Sequence, residues 1–373
     1  MRVSRLSAVA LALICLAVVP ASAQGRSDAP GQLKKPKPAP AALACTGDPS
    51  TYQAISYASG GQSAQALYVL PKGTPKGIVV FDHGYSHTMY SWVRHMQRTA
   101  RTLGVIAVTP DYRGQQDDLS AKPVPTSRGW RVAEGAVDTN TITQLFDSKC
   151  LKGKGHNVLY SVSMGGNTAG LALAAKPKRI GGAPLYDEWV DVEGAANVIE
   201  TYLGARQLAS VNEFAAHAQA DIEAEMGGTL EQVPSVYAER TVVNRVDDIA
   251  ASGIKGVVMV HGVADGLVTH DISRQLQARL RAAGIPVDFE AWVTHSAGAE
   301  SGTTLDGYLP TGVESVFAGH ASETSETHDV GKAGFAALAD LYAGHPVSCK
   351  ERLIDGGTGD IVGIPVSVRE LCQ

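Results

Sequence analysis

The segment Ser161-Val162-Ser163-Met164-Gly165-Gly166 stands between the apolar run Asn157 to Tyr160 and the Ala-rich stretch Thr168 to Ala175. This order predicts a strand that stops at Ser163 and turns at once into a helix, because only small neighbours fit where the two axes meet so tightly. Such a turn forces its central Ser into a sparsely populated backbone conformation, exposes the hydroxyl and points neighbouring N–H groups outward. Gly165 and Gly166 let the helix begin close against the sheet, and Ser161 contributes a further small side chain. A chain built around this turn is committed to strands that lead into helices.

The rest of the sequence carries the same alternation. Short apolar runs at Gly77 to Asp82, Val105 to Thr109, Asn157 to Val162, Arg179 to Tyr186, Val257 to His261 and Val287 to Val293 are separated by longer amphipathic stretches. Several are continuous and β-branched, as strands buried on both faces must be. The pattern predicts an α/β fold, a mostly parallel sheet with helices on both faces. Tyr52 to Tyr57 and Ala66 to Leu70 read as an antiparallel hairpin preceding it. From about 189 to 251 the pattern becomes helical and more polar, too long for a simple connection, and is expected to form a helical cap over the carboxyl ends of the strands. A final amphipathic helix is expected from about Asp329 to Ala343.

The ends bear on compartment. Arg2 and Arg5, the apolar stretch Leu6 to Val19 and Ala21-Ser22-Ala23 form the pattern of a removable secretory signal peptide, 1–23. The apolar stretch is short for a membrane span. Residues 24–44 are rich in Pro, Lys and Ala and read as an extended linker, leaving 45–373 as the folded domain. Removing 1–23 takes away two Arg and changes the formal charge of −5 by two further negative units. No basic face remains for nucleic acid. Cys15 leaves with the signal, and Cys45, Cys150, Cys349 and Cys372 are expected as two disulfides, Cys45 with Cys150 and Cys349 with Cys372, the second tying down the tail. The location expected is secreted or periplasmic.

If Ser163 is a nucleophile, it needs a base, an acid that orients the base, and donors for an oxyanion. In strand-end position lie Phe81-Asp82-His83-Gly84-Tyr85 and the turn His261-Gly262-Val263-Ala264-Asp265-Gly266, and three histidines, His295, His320 and His328, follow the run Val287 to Val293. In this order the motifs resemble the α/β-hydrolase family, over roughly residues 50 to 345, with Ser161 where that family usually has Gly. The resemblance implies Ser163 as nucleophile, Asp265 as acid and His320 as base, with the N–H groups of Tyr85 and Met164 as an oxyanion hole contributing about 3 kcal/mol each. Asp187 is the alternative acid. His328 is the alternative base, disfavoured because a helix amino end opposes an imidazolium, and His295 is a third candidate.

Tyr112-Arg113-Gly114 resembles another turn of the family, its Arg structural. Tyr85, His87, Met89, Tyr90 and Trp92 fit a pocket wall or the core equally. His83, His87 and His95 lack accompanying acidic or Cys ligands at metal spacing, and no His-Glu-x-x-His, phosphate loop or dinucleotide fingerprint occurs, so neither metal nor cofactor is expected. The function expected is an exported serine hydrolase, of carboxylesterase or lipase type, that cleaves a small-molecule or lipid-like ester through an acyl-enzyme. A peptidase or amidase on the same fold, or an inactive binding protein, are the alternatives. No protein partner and no stable membrane insertion are expected.

Overall fold

The computed structural model describes residues 43–115, 129–294 and 319–362. The expected signal peptide and nearly all of the linker lie outside the described residues, as do His295 and Cys372.

The strands are β1 (Gln53–Ser59), β2 (Gln62–Val69), β3 (Gly77–Asp82), β4 (Ile106–Asp111), β5 (His156–Val162), β6 (Glu188–Val192), β7 (Gly256–Gly262), β8 (Val287–Val293) and β9 (Glu351–Asp355). They form one sheet in the order β1-β2-β4-β3-β5-β6-β7-β8-β9. β1 and β2 make the expected antiparallel hairpin, closed by Gly60 and Gly61, both at positive φ as a two-residue loop of primed type requires. β2 runs antiparallel to β4, and every pairing from β4 to β9 is parallel.

The helices are α1 (Val93–Leu103), α2 (Val132–Phe146), α3 (Met164–Ala174), α4 (Val198–Leu208), α5 (Glu213–Met226), α6 (Pro234–Arg240), α7 (Val246–Ser252), α8 (His270–Ala282) and α9 (Asp329–Tyr342). Alternation along the strands feeds two cores. Ile78 and Val80 pack with Ile142 of α2, Ala169 of α3, Ile249 of α7 and Leu276 of α8 on one face. Val79 and Phe81 pack with Met96 of α1 and Val330 and Leu338 of α9 on the other. Each apolar side chain so buried contributes about 1.5–3 kcal/mol, which is why continuous β-branched runs become the central strands.

Two readings of the sequence need correction. The strand expected over Arg179 to Tyr186 is a turn: Gly181 and Gly182 both have positive φ, Ile180 is 65% exposed, and only a single bridge pairs Lys178 with Pro184. The strand begins later, at Glu188, so the cap boundary at 189 runs through β6. Between β6 and β7 the chain forms α4, α5, α6 and α7, of which α7 packs on α3. The tail is also more than a tethered end, because β9 pairs with β8 as the last strand of the sheet.

Cys45 and Cys150 form the expected disulfide, joining the segment before β1 to the turn after α2. Among the described residues, no helix is long and apolar enough to cross a membrane.

Candidate active site

β5 delivers Ser163 to its end, and the backbone there is strained as the small-residue pattern predicts: φ is 56° and ψ −124°, outside the ordinary regions for an L-residue. The surroundings hold it. Ser163 N–H donates to Val192 O at 3.1 Å, and Ser163 O accepts from Gly166 N–H and Ala195 N–H, each at 2.9 Å. The two glycines are obligatory. A Cβ on Gly165 would stand 2.2 Å from Asp82 O, and one on Gly166 would stand 2.4 Å from Gly194 Cα. Met164 opens α3, so its N–H has no acceptor within the helix.

Asp265 lies in the turn after β7, with Oδ1 accepting from Leu267 N–H at 2.8 Å and Val268 N–H at 3.0 Å. Its Oδ2 is 2.6 Å from His320 Nδ1 and 3.2 Å from His261 Nε2. Burial by itself would raise the Asp265 pKa, but the two imidazoles and these hydrogen bonds outweigh it and hold the carboxyl below its ordinary value. Burial likewise opposes a charged His320, yet the carboxylates of Asp265 and Glu193 prevail and raise its pKa to about 9. The histidine loop lies directly on the acid turn. A Cβ on Gly319 would be 2.2 Å from Asp265 N, and one on Gly262 would be 2.0 Å from Gly319 O.

Ser163 and His320 both line a cavity of about 380 Å³. Gly84, Tyr85, His87 and Glu323 line it beside them, and Trp130, Leu203, Leu208, Phe214, Leu267 and Ile272 contribute apolar wall. α4 and α5 thus supply one side of the cavity. Tyr85 Oη donates to Asp221 Oδ2 at 2.5 Å, joining the turn after β3 to α5. Its ring packs against Trp130 and Phe214 with centroids 5.8 and 5.4 Å apart.

The alternative residues sit elsewhere. Asp187 precedes β6 and lies at the opposite end of the sheet, where it pairs with Arg179 and, at 2.7 Å, with Lys255 Nζ; the misplaced strand is what had put it past a strand end. His328 caps α9, its Nδ1 accepting from Val330 N–H at 3.3 Å. Arg113 pairs with Asp138 at 2.6 Å, a structural contact. Of the aromatic-rich loop, Tyr85 and His87 face the cavity while Met89 and Trp92 are core. His95 stacks on Phe335 at 4.4 Å, and burial lowers its pKa to about 4.

Two buried carboxylates escaped the sequence reading. Glu193 directly follows β6, and its Oε2 accepts from Ala321 N–H at 2.6 Å. Glu323 accepts from Gly84 N–H and pairs with His87 Nε2 at 2.9 Å, tying the histidine loop to the turn after β3. A strand-end position would have pointed to Glu193 had β6 been placed correctly. Among the described residues, Glu193, Asp265 and His320 are the one group whose ligand atoms lie close enough, within 4.8 Å of one another, to hold a metal ion.

No family model and no curated protein matches the chain. Solved structures do. A puromycin hydrolase is similar at 13% identity over 84% of this chain and 40% of its own, with a TM-score of 0.51. The acylaminoacyl peptidase of Pyrococcus horikoshii is 14% identical over 65% of this chain and 36% of its own, TM-score 0.45. Prolyl oligopeptidase B of Galerina marginata is 14% identical over 65% and 33%, TM-score 0.46. The chain spans two fifths or less of the length of each. At such identities the likeness concerns architecture, and activity has to be argued from the site. With its own parallel strand order, its strained Ser at the end of β5 and this shared architecture, the chain has the α/β-hydrolase fold.

Proposed function

We propose that the protein is an exported serine hydrolase that cleaves carboxylic esters through an acyl-enzyme. The observation that carries the reading is one cavity lined by a Ser at a strained strand-to-helix turn and by a His whose Nδ1 is held at 2.6 Å by a buried Asp. In this reading Ser163 Oγ attacks the ester carbonyl and its proton passes to His320 Nε2. Asp265 stabilises the imidazolium. The N–H groups of Tyr85 and Met164 receive the oxyanion, His320 returns the proton to the leaving alcohol, and water repeats the sequence to release the acid. The apolar wall from α4 and α5 suits an apolar acyl or alcohol group. The Cys45–Cys150 disulfide accords with an oxidising compartment.

Fluorophosphonate treatment followed by intact-mass analysis tests the chemistry. Wild type gains one adduct, Ser163→Ala and His320→Ala gain none, and His328→Ala is labelled like wild type. Unlabelled wild type would return the chain to a binding role. Because His320 accepts a proton only when neutral, its raised pKa predicts that kcat/KM climbs with pH and that the acid limb lies above the ordinary imidazole value of 6.5. An ester panel set beside matched anilides decides the bond: faster anilide turnover with side-chain preference would make the protein a peptidase or amidase.

A further inference from the structure

Glu193 is a carboxylate where a glycine would be easier. It follows Val192, the last residue of β6, with φ at 54°, a conformation that L side chains rarely adopt. Its N–H donates to Val260 O of β7 at 2.9 Å, which fixes the turn. The side chain is fully buried, and a strained, buried, ionisable residue needs a reason beyond the backbone. Its surroundings supply one. Oε2 accepts Ala321 N–H at 2.6 Å and stands 3.6 Å from His320 Nδ1, the atom that Asp265 Oδ2 holds at 2.6 Å. Two carboxylates, from the ends of adjacent strands, therefore face one ring nitrogen.

We propose that Glu193 is a second acid for His320, a positioning residue that anchors the histidine loop through Ala321 N–H and orients and charges the imidazole together with Asp265. This rests on the reading of Ser163 as nucleophile and His320 as base. Asp265 keeps the Nδ1 proton in the native arrangement. When its charge is removed, a small turn of the ring brings that proton to Glu193, and the tautomer with a free Nε2 lone pair survives. No proton has to reach Glu193 for this. The charged and titratable groups around His320 are Asp265, with His261 behind it on β7, Glu193 from the end of β6, and Glu323 on its own loop. Burial raises the Glu193 pKa to about 7, opposed by His320, so the carboxylate is most stable as an anion when the imidazole carries its positive charge.

Glu193→Gln separates charge from anchoring, because the amide oxygen still accepts Ala321 N–H. The experiment measures ester turnover and fluorophosphonate labelling across pH in wild type, Glu193→Gln, Asp265→Asn and the double variant. Glu193→Gln is expected to move the acid limb of kcat/KM to lower pH by about half a unit or more, since a negative charge that favours the imidazolium is gone. It should lower kcat about threefold in the wild-type background and about a hundredfold in Asp265→Asn, the non-additivity expected when one carboxylate substitutes for the other. An unmoved acid limb, with equal effects in both backgrounds, would reduce Glu193 to a loop anchor and overturn the proposal while leaving the serine hydrolase intact. Wild type that neither labels nor turns over would remove the base itself and this role with it. Should Asp265→Asn fail to fold, the acid limb of Glu193→Gln alone decides.

Discussion

Ser161 shows how a departure from a motif is absorbed locally. Its Oγ accepts Trp189 Nε1–H at 2.8 Å and donates to Asp191 Oδ1 at 3.1 Å, so the residue that stands for the usual glycine satisfies two buried partners beneath the turn. Gly319 has no such latitude. Its missing Cβ is what lets the histidine loop lie on the Asp265 turn, and Gly319→Ala would push His320 away from Oδ2 because backbone cannot yield as a flexible side chain can. A displacement near 1 Å at a catalytic group costs about a hundredfold in rate. Ester kinetics on Gly319→Ala should show that loss chiefly in kcat, and a rate within about threefold of wild type would mean that the loop has slack.

At the scale of elements, hydrogen bonds tie α4, α5 and α6 to the layers around the sheet, among them Ala133 N–H to Glu225 Oε1 at 3.0 Å and Asn167 Nδ2 to Arg240 O at 2.8 Å. Asn197 caps α4 by accepting Glu200 N–H at 3.3 Å and also donates to Gln275 of α8 at 2.9 Å, which docks α4 on the sheet-packing layer. Tyr85 makes another link, to Asp221 of α5. Tyr85→Phe keeps the ring against Trp130 and Phe214 and removes the phenol's hydrogen bond to the Asp221 carboxylate, worth about 1.5–3 kcal/mol. The cavity wall loosens while the backbone N–H of residue 85 stays in place. Michaelis–Menten analysis with an apolar ester should show KM raised several-fold and kcat changed less; a kcat collapse with KM unchanged would place the phenol in the chemistry itself. The misread strand belongs to this scale too. Both candidate runs are apolar and short, and what distinguishes them is the pair Gly181-Gly182 in one and tertiary pairing with β5 and β7 in the other. The second criterion is invisible to local pattern.

For the whole molecule, the Cys45–Cys150 bridge closes a loop of 105 residues that contains β1 to β4. Cross-linking so long a loop removes unfolded-state entropy equivalent to about 5 kcal/mol in the chain-entropy view. Cys45→Ser with Cys150→Ser should lower the denaturant midpoint accordingly. Fluorophosphonate labelling of Ser163 under native conditions should persist, since the bridge sits apart from the cavity. Unchanged stability on chemical denaturation would mean that the unfolded chain is already compact there.

The sequence by itself determined the α/β architecture, strands β3 and β8 to the residue and the turn at Ser163, because each is written in contiguous residues whose packing or backbone demands are local. Only the tertiary structure decided that His320, 55 positions from Asp265, is the histidine that meets it while His328 caps a helix, that Asp187 lies at the far end of the sheet, and that Glu193 and Glu323 hold the histidine loop. Those pairings depend on where long connections return to the sheet. A hydrogen bond between distant segments leaves no period or spacing in the chain that makes it.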